Sequence, residues 1–508
     1  MLKRILNYSF NITHKQAVLL IFITACFLNI ITFIILRHNG FYSYLNEDVA
    51  CIVDMTKSFE TEYDLLNNLS KHDWFGAINL LKTYWKPPAF FIFSAPVLAI
   101  INNANLFLSV LNFLLCFITL LAVYGIVKSI YSIKAGLFAS FILSLCPMFF
   151  VIHRTFFIET LLTTSICIVL YIITKNKFDN IYWNILFTLA LTFALLTKEQ
   201  IFIYYPVFLL FISANKENYT NVKKIINIIS AFIVSYLIAY FLWYKYGAPN
   251  IFQHLLNFAS EKINADFFYY LKSFFFFDIS PLIFVLFVIS VIFFILKRKH
   301  SGIITSFLFV LFIFSLSENK VSRHIFPLLI FCPILISLFV FQIKNVFIKR
   351  TLVITILCVL FIQFIAINFF NLKIFTSGNF YKYNYFKGIT YYNYKPGTDT
   401  YKKQYEYFKD LLGQDFEKNT AFIQFFQPQT YNFLIKQENT DNRKCDIFTY
   451  YDIDEKTLIK YKNVVISTND EQEYNNFANM LLKNDFEFVC VVDINNHTDA
   501  KTFLYKKK

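Results

Sequence analysis

Residues 86–105 read KPPAFFIFSAPVLAIINNAN, and whether this piece crosses a bilayer sets the sidedness of everything after it. Its apolar part, Ala89 to Ile101, is about 13 residues long and carries Pro96, whereas a hydrocarbon core of about 30 Å needs about 20 helical residues. A short, proline-bearing segment of this kind suits an interfacial or re-entrant helix. The surrounding charges decide between the two readings. If the piece does not cross, the loops bearing Lys128/Lys134, Lys175/Lys177, Lys216/Lys223/Lys224, Lys297/Arg298/Lys299 and Lys344/Lys349/Arg350 share one side with the basic N-terminus. That side is cytoplasmic by the positive-inside rule. If the piece crosses, every one of those clusters faces out.

Working outward, the 508 residues are 57% hydrophobic and 20% aromatic, which excludes an ordinary soluble enzyme. Apolar runs fall at roughly 17–37, 105–127, 135–151, 157–174, 181–197, 199–214, 225–244, 281–296, 302–317, 324–342 and 351–370, which predicts about eleven spans of a polytopic α-helical membrane protein. The first run follows Lys3, Arg4 and Lys15, has no small-residue cleavage site after it, and reads as a retained signal anchor. The net charge of +14 is spread through loops and tail instead of one basic face, so nucleic acid is not the implied partner. Cys26, Cys116, Cys146, Cys167, Cys332 and Cys358 lie inside apolar runs, and no CxxC or Cys/His cluster occurs. No cofactor is indicated, and a divalent metal is left open.

From residue 371 the composition turns polar, so residues 1–370 are expected to form a transmembrane catalytic domain, with 38–104 as its first outer loop, and 371–508 a small extracytoplasmic α/β domain. In the latter, TAFIQFF, NVVIST and FEFVCVVDI predict strands and EQEYNNFANMLLKN a helix. Cys445 and Cys490 share this tail and can pair if it lies outside the cytoplasm.

The non-crossing topology places four polar stretches on one outer face: NEDVACIVD with Glu47, Asp48 and Asp54; HRTFFIE with His153, Arg154 and Glu159; TKEQ with Lys198 and Glu199; and SENKVSRH with Glu318, Lys320, Arg323 and His324. Ionisable groups at a membrane boundary are costly unless solvated or paired, so several drawn from distant parts of the chain predict one shared polar cavity.

With these residues in view, the chain resembles the GT-C membrane glycosyltransferases, in particular the protein O-mannosyltransferase-like branch (family 39 type) and the related transferases that move aminoarabinose onto lipid A. The resemblance runs over roughly residues 17–345 and rests on Glu47–Asp48, KPPAFF with Lys86, Pro87 and Pro88, RTFFIE, LLTKEQ and RHIFP with Arg323, His324 and Pro327. No single motif is specific; their order and spacing carry the match. The family usually opens its first loop with Asp then Glu, whereas this chain has Glu47 then Asp48, so both remain candidates for the catalytic acid.

The resemblance implies a polyprenyl-phosphate sugar donor, a lipid, glycan or protein hydroxyl as acceptor, inversion at the sugar, and a site facing outward from a bacterial inner membrane with the N-terminus cytoplasmic. The chemistry needs a base for the acceptor hydroxyl, for which Glu47 or Asp48 is suited. It also needs fixed cations for the departing phosphate, for which Arg154, Lys198, Arg323 and His324 are suited. Glu159 offers a second carboxylate for an oxocarbenium-like transition state. Plainer readings stand beside these: Arg154 with Glu159 as a structural ion pair, Lys198 as a snorkelling helix-end lysine, Arg323 and His324 as an interfacial anchor. A transporter or flippase of lipid-linked sugars is the alternative function.

Overall fold

The computed structural model describes residues 12–38, 61, 64–83, 87–101, 104–153, 158–214, 221–247, 266–279, 281–318, 320, 322–370, 407–408, 410–413, 419–424, 446–449, 455–468, 471–492 and 501–508. Glu47, Asp48, Lys86, Arg154 and Cys445 lie outside them. The chain forms two compact units, one of Met1–Ile35 with Asp73–Tyr392, the other of Leu36–His72 with Asn393–Lys508.

The first unit is a bundle of apolar helices. Among the described residues, six stretches within it are long and apolar enough to cross a membrane, and shorter apolar helices pack among them. In chain order its helices are α1 (His14–His38), α2 (Trp74–Thr83), α3 (Ala89–Ile101), α4 (Ala104–Ile130), α5 (Ile133–Leu145), α6 (Pro147–Ile152), α7 (Ile158–Lys175), α8 (Ile181–Leu195), α9 (Ile201–Ser213) and α10 (Val222–Ala239). They continue with α11 (Tyr269–Ser273), α12 (Pro281–Lys297), α13 (Ser301–Leu316), α14 (Phe331–Gln342) and α15 (Val346–Phe370). A π-turn, Tyr240–Tyr244, extends α10; a second, Phe274–Asp278, follows α11; and a 3₁₀ stretch, Ser322–Ile330, leads into α14. The run read as one span at 135–151 is divided at Cys146, because Pro147 has no N–H to carry the ladder of α5 onward and starts α6 instead.

Burial follows from side-chain placement. On α1, Ala17, Ile21, Ala25 and Leu28 recur every three or four residues and are buried, while Leu19, Ile23 and Ile30 are exposed. On α10, Ile228, Ala231, Ser235 and Ala239 form the buried stripe, and Ile226, Ile229 and Ile233 face out. Water would disfavour such apolar faces; lipid does not. Between helices, small residues and hydroxyls do the joining, as expected where lipid and protein are equally apolar. Thr119 and Thr164 hydroxyls meet at 2.7 Å, and Ser337 Oγ donates to the Ala135 carbonyl at 2.6 Å. Gly136 lets α5 approach α4 so closely that a Cβ there would sit 2.6 Å from the Tyr124 carbonyl oxygen.

These contacts fix helix directions. α1 runs antiparallel to α4: His14 meets Tyr124 at one end, Phe22 lies edge-on to Phe113 and Phe117, and Asn29 bonds Ser109 towards the other. α7 runs parallel to α4, through Thr119 against Thr164 and Gly125 against Tyr171. α8 returns the chain, bringing Lys198 to Glu159 at the start of α7. At that same end the Ala89 N–H donates to the Leu196 carbonyl at 2.8 Å. Thus α3 departs from, and α4 begins at, the end of the bundle where α1 finishes. The KPP segment leaves and returns on one side, in accord with the charge argument.

The basic loops gather at the opposite end. Tyr131 donates to the Phe341 carbonyl, Gln342 meets His300, and Lys224 approaches Asp179 at 3.7 Å beside the Asn227 bond to the Phe178 carbonyl.

The described part of the second unit holds a five-stranded sheet of β1 (Thr420–Gln424), β2 (Asp446–Thr449), β3 (Asn463–Thr468), β4 (Phe486–Val492) and β5 (Lys501–Lys507), in the order β2-β1-β3-β5-β4. The pairs β1–β2 and β1–β3 are parallel, and β3–β5 and β4–β5 antiparallel. Helix α16 (Glu471–Lys483) packs Phe477, Ala478 and Leu481 into the core with Ile423, Val464 and Ile466. Tyr474 stacks on Phe503 at 3.9 Å and meets the Tyr505 hydroxyl at 2.8 Å. The three strands and the helix read from the sequence are present; β2 and β5 are additions.

Candidate functional site

Glu159 stands in the first turn of α7, where unpaired helix N–H groups and the helix dipole favour a carboxylate. It is 2% exposed. Lys198 sits in the tight turn Thr197–Gln200 between α8 and α9, and Arg323 in the 3₁₀ stretch before α14. The fold brings both to the same carboxylate oxygen. Lys198 Nζ donates to Glu159 Oε1 at 2.8 Å, and Arg323 Nε lies 3.7 Å from that atom. Both cationic side chains keep 16% of their surface exposed. One buried anion thus tethers two partly open cations, and the trio carries a net charge of +1.

The packing around the trio is polar where α7, the Lys198 turn and the 3₁₀ stretch converge. Ser165 Oγ and Thr197 Oγ1 are 3.4 Å apart, and Thr197 is anchored on the Phe193 carbonyl. His324 is buried next to Arg323. Glu199 and Gln200 are also buried in the turn. Pro87 and Pro88 are buried at the start of α3, whose first N–H is tied to Leu196, two residues from Lys198. Of the residues singled out from the sequence, Glu159, Lys198, Arg323 and His324 therefore come together, with Pro87 and Pro88 at their edge; Glu47, Asp48, Lys86 and Arg154 lie outside the described residues.

Further polar groups lie at this end of the bundle: His153 and Lys320, which the sequence placed on the outer face without a role, and Asp278, which the sequence reading missed. His153 is buried, its Nδ1 3.0 Å from the Phe149 carbonyl and its ring against Phe149 and Phe326. Lys320 is 2% exposed and feels the carboxylates of Asp266 and Glu318. Asp278 closes the π-turn before α12, 2% exposed, with Ser273 bonded to its carboxyl and Oδ2 lacking a protein partner. Burial pushes its carboxyl up to about 7. An acid ending a run of four phenylalanines at a membrane boundary was the signal available for it. Among the described residues, no three His, Cys, Asp or Glu side chains group as a metal site.

Residues 85–244 match the sequence profile of the dolichyl-phosphate-mannose-protein mannosyltransferase family. The fold is similar to crystal structures of ArnT from Cupriavidus metallidurans. For the form bound to undecaprenyl phosphate, the TM-score is 0.58 at 10% identity over 95% of this chain and 97% of that one. For the apo form it is 0.53 at 11% identity, over 87% and 92%. No curated protein sequence matches the chain significantly. The resemblance drawn from the motifs to the GT-C membrane glycosyltransferases holds, and the fold is ArnT-like.

Proposed function

We propose that this GT-C-like chain is a polyprenyl-phosphate-sugar-dependent glycosyltransferase of the extracytoplasmic membrane face, adding a hexose or pentose to a lipid, glycan or protein hydroxyl. The observation that carries the reading is the pair of cations, Lys198 and Arg323, held on one buried carboxylate and still partly open. It lies at the end of the bundle away from the basic loops. The crystal structure of ArnT with undecaprenyl phosphate supplies a fold-level precedent for the donor lipid.

In the reaction the acceptor hydroxyl oxygen attacks the anomeric carbon as the bond from that carbon to the phosphate oxygen breaks. The electron pair leaves with the phosphate, a phosphodiester of charge −1 that becomes a monoester of charge −2. A carboxylate takes the hydroxyl proton, and Glu47 or Asp48 fills that role, at roughly 10²–10⁴-fold in rate. Lys198 and Arg323 meet the charge that grows on the phosphate, where a poorly hydrated setting makes fixed cations most effective. Glu159 holds both cations in place. Its engagement at 2% exposure favours this positioning part over direct contact with the sugar. In the membrane the basic end of the bundle faces the cytoplasm and the Glu159 end faces out.

The test is transfer from a panel of radiolabelled undecaprenyl-phosphate sugars by purified protein, with Glu47→Gln and Asp48→Asn made separately. One substitution should lower transfer by at least 100-fold while the donor still binds. Full activity in both variants refutes the base assignment. Donor bound but consumed by no form of the protein points to a lipid-linked sugar transporter.

A further inference from the structure

At the end of the bundle opposite Glu159 lies a second site of different character. A cavity of about 270 Å³ opens between α1, α4 and α7. Glu159 and Lys175 are sixteen residues apart on α7, which places the two sites about 24 Å from each other along the helix axis. Lys128 from α4 and Lys175 from α7 both line the cavity, with His14 at the start of α1 beside them. No carboxylate is among the lining residues.

Lysines at the cytoplasmic ends of spans are ordinary, and they ordinarily spread apart into water. Here the parallel course of α4 and α7 aims two of them into one recess. Lys128 Nζ lies 5.7 Å from the centre of the Tyr124 ring, and the Tyr124 hydroxyl is fixed at 2.8 Å from His14 Nδ1. Tyr124 is itself 1% exposed, so the floor of the recess is rigid. Tyr171 offers a second phenol, brought close by the absence of a side chain at Gly125. Two lysines lining one recess, with the Tyr171 phenol beside them, suit a phosphate, which accepts several charge-assisted hydrogen bonds at once.

The walls point to the rest of the ligand. Val18, Ile118, Leu121 and Ile168 line the cavity on the membrane side of the lysines. One turn past Val18 on the same face of α1, Phe22 is exposed and apolar beside Phe113 and Phe117 of α4. A volume of about 270 Å³ holds a headgroup and the first methylenes but not a whole lipid. We infer that this cavity binds the phosphate headgroup of an anionic membrane phospholipid, with its acyl chains lying along the outer face of α1. Lipid so held pins α1 to α4 and α7 at the end remote from the outer site.

The experiment uses the full-length protein, stripped of lipid in neutral detergent, with binding read by native mass spectrometry and by thermal shift. Phosphatidylglycerol, phosphatidylcholine and inorganic phosphate are added in separate arms. Wild type should retain phosphatidylglycerol at least tenfold better than phosphatidylcholine. The K128Q/K175Q variant should bind phosphatidylglycerol about 30-fold more weakly, K128R/K175R should restore it, and K297Q/K299Q, which removes equal charge from outside the cavity, should leave it unchanged. If the double variant proves unstable, K175Q alone, at the last residue of α7, should show about a fivefold loss. Equal retention by wild type and K175Q overturns the inference. So does protection by inorganic phosphate alone as large as that by phosphatidylglycerol, which would make the recess a site for a free anion.

Discussion

Glu159 makes a sharp energetic test because two cations share one of its oxygens. At 2.8 Å and 3.7 Å, and with an effective dielectric constant of about 20, the gross attractions are about 6 and about 4.5 kcal/mol. Desolvation offsets most of this, and removing one partner of a buried pair costs about 3–5 kcal/mol net. Lys198 and Arg323 keep 16% of their surface, so the lower part of that range applies. Glu159→Gln should therefore destabilise by about 3 kcal/mol, leaving two like charges facing each other. Lys198→Met should cost about 2 kcal/mol, since Arg323 remains beside the carboxylate. Once the carboxylate is gone, losing Lys198 relieves repulsion, and the double variant should cost about 3 kcal/mol instead of the additive 5, a coupling of about 2 kcal/mol. Reversible unfolding in mixed micelles titrated with dodecyl sulfate measures all three. In parallel, Lys198→Met should weaken undecaprenyl-phosphate retention more than tenfold, since a charged hydrogen bond is worth about 1.5–3 kcal/mol. Additivity within about 0.5 kcal/mol, with lipid-phosphate retention unchanged, would refute the shared-tether reasoning.

Asp278 gives a pH signature outside the spanning helices: its folded carboxyl titrates near 7 against 3.8 for the unfolded group, so the native state holds the proton more tightly. Its contribution is complete below about pH 4 and lost as pH rises through 7, and stability should fall by on the order of 1 kcal/mol between pH 6 and pH 8; Asp278→Asn should flatten that slope, and an unchanged slope contradicts the assignment. Gly136→Ala should destabilise by about 1–3 kcal/mol in the same unfolding assay, because its new Cβ must push α5 off the Tyr124 carbonyl 2.6 Å away. Reporter fusions after Lys128 and Lys297 should read as cytoplasmic and one after Lys508 as extracytoplasmic; a cytoplasmic signal at Lys508 overturns the topology.

Composition, span lengths and the placement of lysines determined that the chain is a polytopic membrane protein, that residues 86–105 leave and return on one side, and that acids and cations collect at the other end from the basic loops. Those properties are local: a twenty-residue apolar run and a charged loop carry their meaning wherever the helices pack. The partners of Glu159 were not local. One reading from spacing paired it with Arg154, five residues away and outside the described residues; among the described residues its ion-pair partners are Lys198 and Arg323 from two distant turns. Helices apolar on every side give no periodic signal of which neighbour they face, because lipid and protein are the same solvent to a leucine. The tertiary packing decided the rest, beginning with the parallel course of α4 and α7 set by Thr119 against Thr164 and the gap at Gly125. It collected Lys128 and Lys175 into one recess, while the return of α8 along α7 set Glu159 under the Lys198 turn. Likewise β5 reads as a lysine-rich tail until β3 and β4 flank it, when Phe503 and Tyr505 turn inward as core.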